Sequence, residues 1–167
     1  FRTRTPSVAA VQGAAIGGGL GLALATDFRV CAPEARFAAN FARLGFHHGF
    51  GLSVTLPRLV GQQRAMELLY TGRRVKGEEA LSLGMADRLV SLDQLMVEAH
   101  DLAGEIAASA PLAIDSIRET LRGDLADEIR VATDREKAEQ DRLQQTEDFK
   151  EGVRATRERR PADFQGK

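Results

Sequence analysis

The sequence has few large aromatic side chains and almost no cysteine: its 167 residues include no tryptophan, one tyrosine and one cysteine. The single cysteine, Cys31, excludes an internal disulfide and an all-thiolate metal cage, so we expect a reducing, cytoplasmic setting. No residues have the ligand spacing of a zinc site, so no metal is expected. Because 43% of the residues are hydrophobic and only 5% are aromatic, the predicted core is aliphatic, as where helices pack on a sheet.

The sequence also has no long apolar run, and its formal net charge is only −1. The longest apolar stretches, such as Leu20–Ala25, fall far short of the ~20 residues that a membrane-spanning helix requires. The 23 basic and 24 acidic residues give no bulk attraction to nucleic acid or to an anionic membrane, so neither is expected as a partner. The first six residues contain no initiator methionine and no apolar signal segment, and we expect them to lie inside a longer chain.

The order of apolar segments is that of an α/β fold. Ser7–Gln12 predicts a buried strand, Gly18–Thr26 a helix that is apolar on every side, and Phe28–Ala32 the next strand. Strand, buried helix and strand in succession are typical of a parallel α/β unit. After a predicted third strand at Arg36–Ala39 and a loop over Asn40–Leu52, we expect three helices and one strand: Leu52–Val60, Gln62–Tyr70, Lys76–Leu83 and, as the strand, Met85–Val90.

The last third of the chain has a different charge pattern. Nearly half of residues 115–167 are charged, and apolar residues recur among them at helical spacing. This spacing predicts four amphipathic helices: Asp93–Ser109, Pro111–Arg122, Leu125–Gln144 and Glu147–Arg159. We therefore divide the chain into a core over residues 1–110 and a helical lobe over residues 111–167, whose narrow apolar stripes we expect to pack against a neighbouring subunit.

A glycine triplet, Gly17–Gly19, stands between the first strand and the buried helix. Such a turn can expose backbone N–H groups at the positive end of a helix. The dinucleotide fingerprint fails because positions 22 and 24 are leucine, and the Lys-Ser/Thr pair of a P-loop is absent. Two interpretations stay open: an N–H group stabilises an oxyanion of a bound carbonyl compound, or the glycines only let strand and helix pack closely.

Three stretches of the sequence resemble the crotonase (enoyl-CoA hydratase/isomerase) superfamily. They are Val8–Gly19 with Leu22-Ala23 and Thr26-Asp27, then Leu69–Arg73 with Glu79–Val90, and finally Arg159–Phe164. The likeness covers nearly the whole chain, although the N-terminal third of the family's fold has no counterpart in it. It implies an α/β fold of crotonase type, a spiral of ββα turns, with a C-terminal helical lobe that assembles trimers or pairs of trimers.

The resemblance also implies a ligand and a site. The ligand is an acyl-CoA thioester, with coenzyme A as part of the substrate and no other cofactor, and its carbonyl group lies between two backbone N–H groups. By motif position Gly18 supplies one of them, with Gly17 and Gly19 beside the substrate. The other comes, in this family, from a segment N-terminal to these residues.

Both glutamates of the family's hydratases are absent here. Their positions correspond to Gly21 and Phe41, and the loss of such an acid–base group typically costs ~10²–10⁴-fold in rate. Ordinary hydration is therefore not expected, and the carboxylate patterns of the family's dienoyl-CoA and Δ3,Δ2-isomerases are missing as well. Gly21 and Phe41 are instead predicted to shape an apolar acyl site.

Four other side chains are candidate site residues, and two of them, both histidines, could replace the lost acid–base groups. His47 and His48 are candidate general bases, since an imidazole titrates near neutral pH, although either could be an ordinary loop histidine. Arg43 is a candidate partner for a substrate carboxylate. The resemblance makes Arg159 a candidate partner for the CoA phosphates. For both arginines a solvated or structural side chain is the alternative.

Two functions are compatible with these residues. The first is an enzyme that acts on an acyl-CoA thioester through oxyanion stabilisation at Gly18, with isomerisation, decarboxylation or hydrolytic cleavage as candidate reactions. The second is a non-catalytic acyl-CoA binding protein, in which Gly21 and Phe41 line an acyl tunnel.

Overall fold

Six short strands and eight α-helices make up the computed structural model, which describes residues 1–167. The strands are β1 (Val8–Val11), β2 (Ala14–Ile16), β3 (Phe28–Cys31), β4 (Arg36–Ala38), β5 (Val75–Lys76) and β6 (Arg88–Leu89). The helices are α1 (Gly18–Ala25), α2 (Leu52–Val60), α3 (Gln62–Thr71), α4 (Gly77–Leu83), α5 (Leu95–Ala107), α6 (Pro111–Arg122), α7 (Leu125–Leu143) and α8 (Glu147–Glu158). No helix is both long and apolar enough to cross a bilayer.

The strands form two three-stranded sheets, in the orders β1-β3-β6 and β2-β4-β5. All pairs are parallel except β4 with β5, and Val8 of β1 lies opposite Phe28 of β3. Parallel neighbours need a crossover, and α1 provides it for both sheets, because β1 and β2 precede it and their partners β3 and β4 follow it. Helix α1, which begins within the glycine triplet, thus connects strands of both sheets.

The main core lies around α1, α2 and the two sheets. Its largest fully buried side chains are Leu20, Phe37, Leu52, Leu56, Val75 and Met85. A smaller cluster of Val30, Leu95, Ala99 and Leu102 packs α5 on the first sheet. Helix α1 is buried at Leu20, Gly21, Ala23 and Leu24, whereas its Leu22 is exposed, so the expected full burial of this helix is only partly met. Full burial of one large apolar side chain contributes about 1.5–3 kcal/mol.

The predicted α/β class is confirmed, and the bounds of the predicted helices agree with the structure to within about two residues. Two strands were not predicted, β2 and β5. They have three and two residues, too few for an alternation of apolar and polar side chains to be recognised. The predicted strand over Met85–Val90 is reduced to β6, and the predicted loop over Asn40–Leu52 contains a 3₁₀ turn at Ala42–Leu44.

The three C-terminal helices contact the core to different degrees. Helix α7 packs on α2 through the buried Ile129, and α8 packs on the 3₁₀ turn, where Gly152 lies against the backbone of Leu44. Helix α6 has no buried residue, and Leu112 and Leu121 are each 80% exposed. The division at residue 110 and the oligomerisation role of the lobe stay predictions.

Asp27, just before β3, ties α6 to the core. Its carboxylate accepts hydrogen bonds from the backbone N–H and the hydroxyl of Ser7, and from the guanidinium groups of Arg118 and Arg122 at 2.8–3.2 Å. Burial opposes ionisation of Asp27, but these hydrogen bonds and positive charges outweigh it, so its pKa lies below the ordinary value. An ion-pair cluster, rather than apolar burial, holds α6 in place.

We expect Asp27→Asn to destabilise the protein at neutral pH by about 1–3 kcal/mol, the range for hydrogen bonds to charged groups. Because the folded pKa is lowered, the carboxylate's contribution is complete above the unfolded pKa of about 4 and is lost as pH falls through the folded pKa. Urea unfolding over a pH series measures it. Asp101→Asn, at an exposed position of α5, is the control; a difference that does not shrink as pH falls below the unfolded pKa contradicts the charge-based role.

Candidate functional site

The turn at Gly17 joins β2 to α1. Gly17 adopts φ 57° and ψ −117°, a conformation that side chains disfavour, and it is the N-cap residue of α1. Its N–H donates to the carbonyl of Ala38 at 2.8 Å, and its carbonyl accepts from the N–H of Gly21 at 3.2 Å. The backbone of Gly17 is therefore fully used, and its N–H is not available to a ligand.

The next three N–H groups have no partner in the chain. Gly18, Gly19 and Leu20 form the first turn of α1, where no intrahelical acceptor exists, and neither a loop carbonyl nor a side chain accepts from them. They lie at the positive end of the helix dipole, which favours a negatively polarised oxygen atom. The first turn of α1 thus offers unpaired donors, among them the N–H group of Gly18; its role toward a ligand stays a prediction of the family resemblance.

The ring of Phe50 lies on this first turn. A Cβ atom added at Gly18 would be 2.8 Å from Cε2 and Cζ of Phe50, and one added at Gly21 would be 2.2 Å from its Cβ. Residues three apart share a helix face, so one ring covers both glycines. Neither position can carry a side chain while Phe50 stays in place.

The surface around the free N–H groups is open and apolar. Phe50 is 59% exposed and Leu22 is 70% exposed, and Gly19 is exposed between them and the turn. Cavities lie elsewhere, along α6 and α8. Unpaired donors beside exposed apolar side chains suit a ligand with one polar acceptor atom and an apolar body.

Phe41 lies on the other side of the turn and is buried. A Cβ atom on Gly17 would be 3.6 Å from Cζ of Phe41, and the Phe41 ring meets Phe46 edge to face, with ring centres 5.4 Å apart. Phe46 in turn packs against Phe149 of α8. Phe41 therefore packs against Gly17 as part of an aromatic cluster with Phe46 and Phe149.

The two candidate histidines contact the helical lobe. Nε2 of His48 lies 2.8 Å from the hydroxyl oxygen of Ser53, and the His47 carbonyl accepts from the side chain of Gln140 on α7. The His47 ring stacks on the His48 ring, and Nδ1–H of His47 donates to the His48 carbonyl. The hydrogen bonds of the two rings thus go to the loop and to Ser53 of α2, and a role as general base stays a prediction.

A buried glutamate organises this loop. Glu136 of α7 is 1% exposed, and its carboxylate accepts from the backbone N–H groups of Gly51 and Ser53 at 2.8 and 3.0 Å. It therefore caps the N-terminus of α2 from a distant helix. Its Oε1 atom also lies 3.9 Å from Nε2 of His48. Glu136 and Ser53 both lie next to Nε2 of His48, whereas in a catalytic triad the carboxylate and the hydroxyl contact different nitrogens of the imidazole. The three residues therefore do not form a catalytic triad.

The pKa of His48 is lowered to about 4. Burial is the largest cause and the neighbouring His47 adds to it, whereas Glu136 acts in the opposite direction. His48 is therefore uncharged at neutral pH. The one thiol is no alternative nucleophile, since Cys31 is buried and burial raises its pKa to about 11.

The two candidate arginines lie at the C-terminal ends of two different helices, α3 and α8. Nε–H of Arg43 donates to the carbonyl of Thr71 at 2.6 Å, so this side chain closes the C-terminus of α3. Arg159 is the exposed C-cap residue of α8. Their predicted roles toward a substrate carboxylate and the CoA phosphates stay predictions.

Two important residues were not found from the sequence. Phe50 stands between Gly49 and Gly51, a Gly-Phe-Gly pattern that indicates a backbone turn around an aromatic side chain. Glu136 is seven residues after Ile129, on the same face of α7, and a charged residue on a helix's inward face indicates a buried partner. No group of three or more potential metal ligands exists.

Comparison with known protein sequences identifies a family over the whole length of the chain. The sequence model described as "Enoyl-CoA hydratase/isomerase" matches residues 1–167. Carnitinyl-CoA dehydratase of Salmonella heidelberg (strain SL476) is 45% identical over 122 residues, which are 73% of this chain and 47% of that protein. The chain thus spans about half the length of this relative.

Solved structures give the same result for the fold. An enoyl-CoA hydratase from Mycobacterium avium subsp. paratuberculosis K-10 has a TM-score of 0.91 at 28% identity, over 97% of this chain and 66% of that one. A carnitinyl-CoA dehydratase from Mycobacterium avium 104 has a TM-score of 0.90 at 31% identity, over 98% and 65%. The predicted crotonase-type fold is therefore confirmed.

We expect Glu136→Ala to lower the free energy of unfolding by about 1–3 kcal/mol, because two backbone N–H groups at the start of α2 lose their acceptor. Denaturant unfolding measures this change. Glu128→Ala on the same helix removes an exposed ion pair with Arg58 and is expected to cost at most about 1 kcal/mol. Equal effects of the two substitutions contradict the capping role.

We expect His48 to titrate at about 4 in an NMR pH series, against about 6.5 for a solvated imidazole. Because its folded pKa is lowered, its contribution to stability is complete above about pH 6.5 and is lost as pH falls toward the folded value. His48→Gln is expected to remove this part of the pH dependence. A His48 resonance that titrates near pH 6.5 contradicts the buried placement.

Proposed function

The chain belongs to the enoyl-CoA hydratase/isomerase family, and from this premise we propose that it binds an acyl-CoA thioester with the thioester carbonyl oxygen on the N–H group of Gly18. The observation that carries the proposal is the set of unpaired N–H groups in the first turn of α1, beside the exposed side chains of Leu22 and Phe50. A thioester has the matching chemistry, with one carbonyl acceptor and an apolar acyl chain.

The proposed chemistry is stabilisation of a developing oxyanion. When the bound thioester forms an enolate or a tetrahedral intermediate, negative charge grows on the carbonyl oxygen. A donor that is already fixed at the positive end of a helix stabilises this charge more than it stabilises the neutral ground state. Gly18 needs no rearrangement to act, since its N–H group has no competing partner in the chain.

The proposed reaction class is a lyase or isomerase reaction on a CoA thioester. The relatives named carnitinyl-CoA dehydratase support an elimination at the acyl group. The carboxylates of the family's hydratases are replaced at Gly21 and Phe41, so any proton transfer needs another base. His47 and His48, in the same loop as Phe50, are the proposed candidates, and His48 must then leave its contact with Ser53.

A second candidate function is acyl-CoA binding without catalysis. It is favoured by one specific observation: the atoms nearest to an added Cβ at Gly18 and at Gly21 all belong to the uncharged side chain of Phe50, and Phe41 is buried. Turnover of CoA thioesters by the full-length protein distinguishes the two candidates. Tight binding without any product, unchanged by His47→Ala and His48→Ala, supports the second.

We also propose that the exposed apolar side chains of α6 and α7 form a contact between copies of this chain in a trimer or a pair of trimers. Leu112, Ile117, Leu121 and Val131 are each more than half exposed. In such an assembly Arg159 could reach the phosphates of a CoA molecule bound to the adjoining subunit.

The test of the proposed function replaces a single backbone N–H group by an oxygen atom. Replacing the peptide bond at the Gly18 nitrogen by an ester, with glycolic acid in place of glycine, deletes the N–H group and adds no side chain. We expect thioester affinity to fall about three- to tenfold, as for one neutral hydrogen bond. If the protein turns the thioester over, we expect the rate to fall about 10²–10³-fold.

The matched control is the same ester at Gly13, whose N–H group also has no partner in the chain. We expect that variant to keep the affinity and turnover of the unmodified protein. Equal losses at both positions, or no loss at Gly18, contradict the proposed role of the Gly18 N–H group.

A further inference from the structure

We propose that a cavity at the C-terminal end of α1 is a second binding site, which takes a small monocarboxylate with a short apolar chain. The site is independent of the proposed function, because α1, eight residues and about 12 Å long, separates it from the first turn of that helix. The proposal is carried by three arginines that line one cavity and by a buried guanidinium N–H group that has no acceptor.

The cavity has a volume of about 180 Å³ and lies between β3, the end of α1, α2 and the junction of α6 with α7. Its charged lining consists of Arg29 of β3, Arg58 of α2, Arg122 of α6 and one carboxylate, that of Asp27. Three guanidinium groups from three different elements therefore border the same space. Convergent basic side chains around a cavity indicate a ligand of negative charge.

Arg29 is the buried member of the three, with a side chain that is only 3% exposed. Its Nη2 donates to Asp87 at 2.8 Å and its Nη1 donates to the carbonyl of Thr26 at 3.1 Å, whereas its Nε–H group has no acceptor. A buried donor without a partner costs free energy, and native structures keep few of them. In the wall of a cavity, such a donor indicates an acceptor that comes from a ligand.

The ion pairs beside the cavity have an excess of positive charge. Arg118 and Arg122 both bond to Asp27, and Arg29 bonds to Asp87, so three guanidinium groups share two carboxylates. Burial and the charge of Arg122 outweigh the attraction of the two aspartates, so the pKa of Arg29 lies below its ordinary value. An excess buried charge is unfavourable, and a bound anion with a single negative charge neutralises it.

Two helix ends meet at the cavity, and both leave room for an anion. The carbonyl groups of Ala25 and Thr26, at the end of α1, already accept from two of the arginines. Helix α7 begins at the cavity with Leu125, and the N–H groups of Leu125 and Ala126 have no acceptor in the chain. The positive end of α7 therefore adds to the attraction of the arginines.

Arg58 at the rim gives the ligand its chemical class. It is 47% exposed and uses only Nη2, which donates to Glu128 at 2.7 Å, so its Nε–H and Nη1 groups have no recorded acceptor. Guanidinium groups bind carboxylates through two parallel hydrogen bonds, which a spherical ion such as chloride cannot accept in the same way. A carboxylate is therefore the favoured anion.

The rest of the cavity wall indicates the size and polarity of the ligand body. Leu24, Leu59 and Leu125 line the cavity beside the arginines, and these side chains suit a short hydrocarbon chain. A protein cavity of about 150 Å³ holds a benzene molecule, which has six non-hydrogen atoms. Butanoate also has six and matches this cavity in size.

The binding test uses calorimetry on the full-length protein in a chloride-free buffer, with butanoate, acetate, chloride and the uncharged butanamide as probes. Arg58→Gln removes the guanidinium group at the rim. Glu128→Gln releases Arg58 from its ion pair and removes a negative charge near the cavity. Arg64→Gln, at an exposed position of α3, is the matched control.

We expect butanoate to bind more tightly than acetate and chloride, and butanamide not to bind. Arg58→Gln is expected to weaken butanoate about two- to fivefold and Glu128→Gln to strengthen it, with Arg64→Gln like the original protein. Equal affinity for butanoate and chloride, or for butanoate and butanamide, overturns the assignment to a carboxylate. Absence of butanoate binding, or equal effects of Arg58→Gln and Arg64→Gln, overturns the site and leaves thioester binding at Gly18 untouched.

A second measurement follows the buried donor directly. In ¹H–¹⁵N NMR spectra of the full-length protein, the Nε–H resonance of Arg29 is expected to move when butanoate is added and to stay in place when butanamide is added. The Nε–H resonance of Arg64 is the control and is expected not to move. An Arg29 resonance that stays in place at a saturating butanoate concentration overturns the role of this side chain as the inner wall of the site.

Discussion

The chain reversal at Gly17 is the constraint on which the site depends. Only a residue without a side chain takes this conformation at no steric cost, and the two hydrogen bonds of Gly17, to Ala38 and Gly21, fix it in place. The reversal brings α1 directly out of β2, so the first turn of α1 begins beside the sheet with its N–H groups unpaired. Core packing around Leu20 and its neighbours then holds the helix rigidly. The donors are preorganised because the fold leaves them no other partner.

The second determinant is the contact between α7 and the loop before α2. Glu136 replaces the missing N-cap side chain of α2, and Ile129 and Gln140 pack on the glycines at either side of Phe50. A helix far along the chain thereby positions the one aromatic ring that lies on α1. The predicted oligomerisation lobe thus has a role within a single chain, since its second helix shapes the candidate acyl site.

The sequence predicted the helices well because periodicity and glycine positions are local signals. The glycine turn alone left two interpretations open, an N–H donor for a ligand or close packing of strand and helix, and only the family resemblance pointed to Gly18. Phe50 and Glu136 were missed for a physical reason: the hydrogen bond from Gly51 to Glu136 spans 85 residues, and no local pattern encodes it. The family resemblance drew attention to Gly21 and Phe41, and the structure shows that a side chain at position 21 would clash with Phe50.

The most direct test of the account is a crystal structure of the full-length protein with a bound, unreactive analogue of an unsaturated acyl-CoA. The account predicts that the carbonyl oxygen lies about 2.7–3.2 Å from the Gly18 nitrogen, the range of an N–H···O hydrogen bond. A carbonyl oxygen bound elsewhere, with the Gly18 N–H group facing solvent or protein, would contradict it.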